Sequence, residues 1–156
     1  MDAILPGLSK MLNYHPVFVH FPIAFWLGAL LFELLAMARA REEFHSTAVW
    51  LLYLGTLAAV PAAGTGLLAE EAAAEGAAHE IADAHKLFMM GSTSLAVGLC
   101  MLAGFRRKSF TPGLRKLFLV GLLALAVLVG LGADRGAQLV YQYGTAVDWS
   151  TAAPRK

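Results

Sequence analysis

The hydrophobic residues of this chain gather in four long blocks separated by short polar connections. A helix needs about 20 apolar residues to cross the hydrocarbon core of a bilayer. Four stretches meet that length: Pro16–Ala38, Thr47–Ala69, His85–Phe105 and Arg115–Gly136. The short connections predict that consecutive helices pack as antiparallel neighbours. The expected fold is therefore all-α, an integral membrane four-helix bundle forming one domain over residues 1–156. Ahead of the first span, Ile4, Leu5, Leu8, Met11 and Leu12 recur at helical spacing. They predict a short amphipathic segment over residues 3–13, lying in the membrane interface.

Composition agrees with lipid as the partner. The chain is 58% hydrophobic and 15% charged, with a mean hydropathy of +0.63, well outside the range of soluble domains. A net charge of +1 offers no basic surface for nucleic acid. Cys100 is the one cysteine, so neither an intrachain disulfide nor a C-x-x-C-H haem attachment is possible. The N-terminus carries Asp2 and lacks a basic region before an apolar run, unlike a cleavable signal peptide. Gly28, Gly55, Gly91, Gly98, Gly121 and Gly130 give the spans places for close helix approach.

Charge supplies an orientation. Arg39, Arg41, Arg106, Arg107, Lys108, Arg115 and Lys116 all fall in or beside the first and third connections. Glu70, Glu71, Glu75, Glu80 and Asp83 crowd the second. The positive-inside rule puts the arginine-rich side in the cytoplasm. Both termini then lie outside, in the periplasm if the membrane is a bacterial inner (plasma) membrane.

The candidate chemistry is histidine chemistry. The first span opens His15-Pro16-Val17-Phe18-Val19-His20-Phe21-Pro22, and the third opens at His85. Pro16 suits a first helical turn, whereas Pro22 removes a hydrogen bond to the Phe18 carbonyl and predicts a kink. An ionisable group inside a span marks a functional site by default. The first and third spans run in the same direction, so His20 and His85 are expected at similar depth, facing each other across the bundle. Haem iron takes axial histidines, and bundle cores build cofactor sites from facing helices. The leading expectation is thus one haem b, or a metal, held by His20 and His85 near the outer face. His15 is five residues from His20, about 140° around a regular helix, so the two cannot share a ligand; the proline pair leaves open which of them faces inward. A copper or zinc site from His15, His20 and His85 is a weaker alternative. Tyr141 and Tyr143 return to the histidine side and suit the aromatic belt, with Tyr141 also a candidate hydrogen-bonding partner for a ligand. His79, in the acidic connection, reads as surface. Glu33 reads as a snorkelling partner of Arg39 or Arg41 rather than a proton relay, and His45 as chemically silent. No nucleotide loop, nucleophile elbow or zincin helix is present.

Together, His15-Pro16…Val19-His20-Phe21-Pro22-Ile23-Ala24, Gly66-Leu67-Leu68, His85 and Leu139-Val140-Tyr141…Gly144…Val147 resemble a family of predicted bacterial membrane proteins, domain of unknown function 2231. The resemblance implies redox company, because relatives look to be joined to, or encoded beside, Rieske and cytochrome c proteins. One position departs from the family: its tail resembles VY-x-H-G, and Tyr143 stands where that histidine would be. The expected role is a small redox subunit of a larger respiratory or photosynthetic complex, without catalysis of its own, exchanging electrons with quinol or a periplasmic carrier. A cofactor-free structural subunit and a small transporter handling protons or ions through His20, His85 and Glu33 are the alternatives.

Overall fold

A computed structural model describes residues 4–9, 11–70, 77–105 and 110–147. After one turn of helix, α1 (Pro6–Ser9), come four long helices: α2 (His15–Arg39), α3 (Glu42–Glu70), α4 (Ala77–Phe105) and α5 (Pro112–Tyr141). All four are long and apolar enough to cross a membrane. Within the predicted interfacial segment 3–13, Pro6–Ser9 is the described helical part; Ala3 and Lys10 lie outside the described residues.

The helices outrun the spans expected from hydropathy, most of all at α4, which starts eight positions before His85. Hydropathy measures only the part that lies in hydrocarbon, and a helix of 29 or 30 residues is about 44 Å long against a core of about 30 Å. The polar ends follow ordinary capping. Thr111 caps α5, its hydroxyl accepting from Leu114 N–H, with Pro112 in the first turn. Glu42 and Glu43 occupy the first turn of α3, where the helix dipole favours them. The α2–α3 link is only Ala40 and Arg41. Ala40 takes the left-handed conformation, φ 51°, and both its N–H and that of Arg41 reach back to the Ala36 carbonyl.

Burial reveals an internal repeat. In α2 the buried positions include Pro22, Trp26, Ala29 and Glu33; in α4 they include Ser92, Ala96, Leu99 and Ala103. In α3 they are Ala48, Leu52, Gly55, Ala59 and Ala62; in α5 they are Phe118, Leu122, Leu125, Val129 and Gly132. Every position in the first hairpin has its counterpart 70 residues later. Helix α2 packs on α3, and α4 on α5, while α2 meets α5 and α3 meets α4 more sparsely across the seam. The bundle is therefore two equivalent hairpins about a pseudo-two-fold axis parallel to the helices, with α2 diagonal to α4.

The core along that axis holds Trp26, Leu52, Leu99, Phe118, Leu122 and Leu125. A polar contact set crosses it, with Trp26 Nε1 donating to Thr56 Oγ1, which donates in turn to the Leu52 carbonyl and lies 3.3 Å from Cys100 Sγ. Small residues admit the close contacts. A Cβ on Gly55 would stand 2.6 Å from Trp26 Cδ1, whereas Gly91, Gly98 and Gly130 face open space. The outward faces carry Leu27, Leu31, Leu57, Val60, Leu87, Val120 and Val127, all exposed. Such a continuous apolar exterior is a surface for lipid.

Candidate functional site: a histidine pair on the bundle axis

His15 is the first residue of α2, following Tyr14 at the cap and preceding Pro16. It heads the inward stripe that continues through Pro22, Trp26, Ala29 and Glu33, steps of seven, four, three and four. His20 is off that stripe and exposed. The residue that meets His85 is accordingly His15 and not His20, a correction to the expected pair. The 140° between positions 15 and 20 on a helix decides it, and His15 aligns with the buried stripe while His20 does not. His85 lies on the matching stripe of α4, which starts at Ala78 and continues through Ser92, Ala96, Leu99 and Ala103.

The two rings approach with centroids 6.2 Å apart and planes at 88°. Each is fixed from behind in the same manner. His15 Nδ1 lies 2.9 Å from the Ala62 carbonyl oxygen of α3, and His85 Nδ1 lies 2.7 Å from the Gly132 carbonyl oxygen of α5. Acceptor and histidine are 47 residues apart in both hairpins. A carbonyl only accepts, so Nδ1 carries the hydrogen in each ring, and Nε2 is the atom of each ring not engaged by that bond. One turn beyond each acceptor stands a glycine. A Cβ on Gly66 would lie 2.9 Å from His15 Cε1, and one on Gly136 would lie 3.1 Å from His85 Cε1. Any side chain at either position would press on the imidazole. The hairpins differ in one respect: Thr65 Oγ1 stands 3.4 Å from His15 Nδ1, and its counterpart is Arg135, which pairs with Asp134.

Two imidazoles held in this way are a donor set that a metal could use. Metal-binding histidines characteristically donate their other N–H to a carbonyl or carboxylate, which fixes the tautomer and the ring orientation. Two imidazoles trans on one metal, with bonds of about 2 Å, have centroids roughly 6 Å apart. Among the described residues no group of three or more His, Cys, Asp or Glu side chains comes together. A metal at this pair would therefore draw its remaining ligands from elsewhere, which suits haem iron, whose porphyrin supplies four. The surroundings are consistent: the pair sits on the sparsely packed seam, and two turns deeper the inward positions are Pro22 and Ser92, both modest in bulk. Asn13, two residues before His15, has a buried Oδ1 without a hydrogen-bond partner.

The other predicted residues fall elsewhere. Tyr141 is 90% exposed and does not turn toward the histidines, because position 141 is off the α5 stripe of Phe118, Leu122, Leu125, Val129 and Gly132. Tyr143 is also exposed. His79 is an exposed residue beside Asp83, one turn on.

At the opposite end of the bundle is a cluster that the sequence reading underrated. Glu33 is fully buried and pairs with neither Arg39 nor Arg41; Arg41 lies beside Glu43. Its Oε2 is 2.6 Å from His45 Nδ1 and its Oε1 is 3.2 Å from Arg115 Nε. Arg115 also donates to Glu42. Phe110 and Phe118 flank the His45 ring at 4.7 and 5.7 Å between centroids. The signal that would have found these residues is the repeat itself, since His45 and Arg115 are 70 positions apart, as are His15 and His85.

Residues 11–149 match a family of predicted membrane proteins, domain of unknown function 2231. No curated protein and no solved structure matches the chain.

Proposed function

This chain belongs to the domain of unknown function 2231 family of predicted membrane proteins, and on that premise we propose that it is a small membrane redox subunit whose His15–His85 pair holds one haem b. The observation that carries this reading is the close imidazole pair, each ring anchored through Nδ1–H to a backbone carbonyl, which leaves Nε2 as the nitrogen free to ligate. When bound, the haem would supply one-electron transfer. The protein's own part is to hold and tune. The carbonyls of Ala62 and Gly132 orient the rings and raise their basicity.

With the arginine-rich connections cytoplasmic, the histidine end lies at the outer leaflet of a bacterial inner membrane and both termini are periplasmic. There the site would exchange electrons with quinol or with a cytochrome c or Rieske-type carrier, as a non-catalytic subunit of a larger complex. The test is haem content. Protein produced with haem supply and purified in mild detergent is expected to carry one haem b per chain, with a Soret band and sharp α and β bands on reduction. A colourless protein from the same preparation contradicts the reading.

A further inference from the structure

The two histidine anchors share a plan but differ in what surrounds the accepting oxygen. A carbonyl oxygen has two lone pairs, and in a regular α-helix one belongs to the N–H four residues on, here that of Gly66 or Gly136. The imidazole Nδ1–H takes the second, at 2.9 Å for His15 and 2.7 Å for His85. At Ala62 a third donor is present. Thr65 Oγ1 stands 3.0 Å from the Ala62 carbonyl oxygen and 2.8 Å from that of Pro61, so its one hydrogen is divided between them. Thr65 Oγ1 also lies 3.4 Å from His15 Nδ1, as a second acceptor for that N–H.

Both contacts act in one direction. The hydroxyl hydrogen draws on the oxygen that anchors His15, and the hydroxyl oxygen diverts the imidazole N–H from that anchor. A threonine inside a helix commonly bonds back to the carbonyl four residues earlier, and the contact with Pro61 is of that kind. It would satisfy the hydroxyl without touching His15; the contacts with Ala62 and Nδ1 are the ones that reach the ring. The counterpart of Thr65 in α5 is Arg135, which has no hydroxyl and donates to Asp134. Among the described residues, His85 Nδ1 therefore meets the Gly132 carbonyl alone. A hydrogen bond from Nδ1–H to a good acceptor raises the basicity of the ring as a ligand. The divided anchor of His15 does this less than the undivided anchor of His85.

Resting on the haem reading, we propose that Thr65 is a positioning residue that makes His15 the weaker and His85 the stronger of the two ligands. Strong donation favours ferric iron, so a weakened His15 holds the reduction potential above that of a site with two undivided anchors. The test is a redox titration of the haem-loaded full chain in mild detergent. Thr65→Val, which keeps the shape and removes the hydroxyl, is expected to lower the potential, and Thr65→Ser to restore the parental value. The sign is diagnostic. Removing a polar group near the haem makes its surroundings less polar, which by itself disfavours the charged ferric site and raises the potential. A second readout is nitrogen–proton NMR of the haem-free chain, labelled at histidine and embedded in lipid nanodiscs. The Nδ1–H proton of His85 is expected downfield of that of His15, and Thr65→Val is expected to move the His15 signal toward it. A haem-loaded Thr65→Val whose potential is unchanged or raised, or a His15 signal that stays in place, overturns this inference and leaves the haem reading standing. A colourless parent protein overturns the haem reading, and this inference with it.

Discussion

Replacing His15 with alanine is expected to abolish haem binding, and replacing His85 to do the same, whereas His20→Ala is expected to keep the full complement. The three histidines separate cleanly because helical phase separates them. His15 and His85 lie on the inward stripes of α2 and α4 and meet on the axis, while His20 is exposed. His15 and His85 would each supply one of the two protein ligands of the haem iron, so loss of either would remove half of the protein's hold on it. The measurement is haem per chain after purification of the three variants side by side. Loss of haem in His20→Ala together with retention in His15→Ala would transfer the site to the residue that hydropathy and spacing alone favour.

The second large effect is on stability. Glu33→Ala should cost about 1–3 kcal/mol, because it leaves His45 Nδ1 without its acceptor and Arg115 with Glu42 as its remaining carboxylate. The loss should appear as a marked drop in thermal unfolding temperature in detergent and a fall in yield. The double variant Glu33→Leu with Arg115→Leu should recover part of it, since exchanging a buried ion pair for packed apolar side chains is often neutral or stabilising. The Glu42 carboxylate released by the second change is 77% exposed and stays solvated. A Glu33→Ala chain as stable as the parent would show that the cluster does not tie the hairpins together.

The fold was legible because lipid imposes a coarse rule. Four apolar blocks, each long enough to span, leave little choice but a helical bundle, and the short connections make the neighbours antiparallel. The site was legible only in part. That His15, His20 and His85 share one end followed from helix direction, but their phase did not. Pro16 and Pro22 obscure the period, and both faces of the first span are apolar, so hydrophobicity carries no inward direction. The direction becomes visible in the repeat. His15, Ala62 and Gly66 recur as His85, Gly132 and Gly136, and the identity of Gly66 with Gly136 and of His15 with His85 is present in the sequence itself. Few other paired positions match in residue type or volume, as Trp26 with Ala96 and Ala48 with Phe118 show, and what recurs is their burial. The Glu33 cluster was misread for a related reason. Proximity along the chain points to Arg39 and Arg41, yet the groups that reach Glu33 come from α3 and α5. Glycines were similarly mixed: Gly55 and Gly121 do seat Trp26 and Leu99, but Gly66 and Gly136, which seat the imidazoles, had not been singled out as packing positions.

The central claim is that one haem is held between two imidazoles whose planes are nearly perpendicular, at 88°, and whose Nδ1 anchors prevent free rotation. Low-temperature electron paramagnetic resonance of the oxidised protein reads that geometry directly. The account predicts the highly anisotropic low-spin ferric signal of perpendicular axial imidazoles, lost in His15→Ala and in His85→Ala. A high-spin signal, a rhombic low-spin signal of parallel imidazoles, or protein free of iron would contradict it.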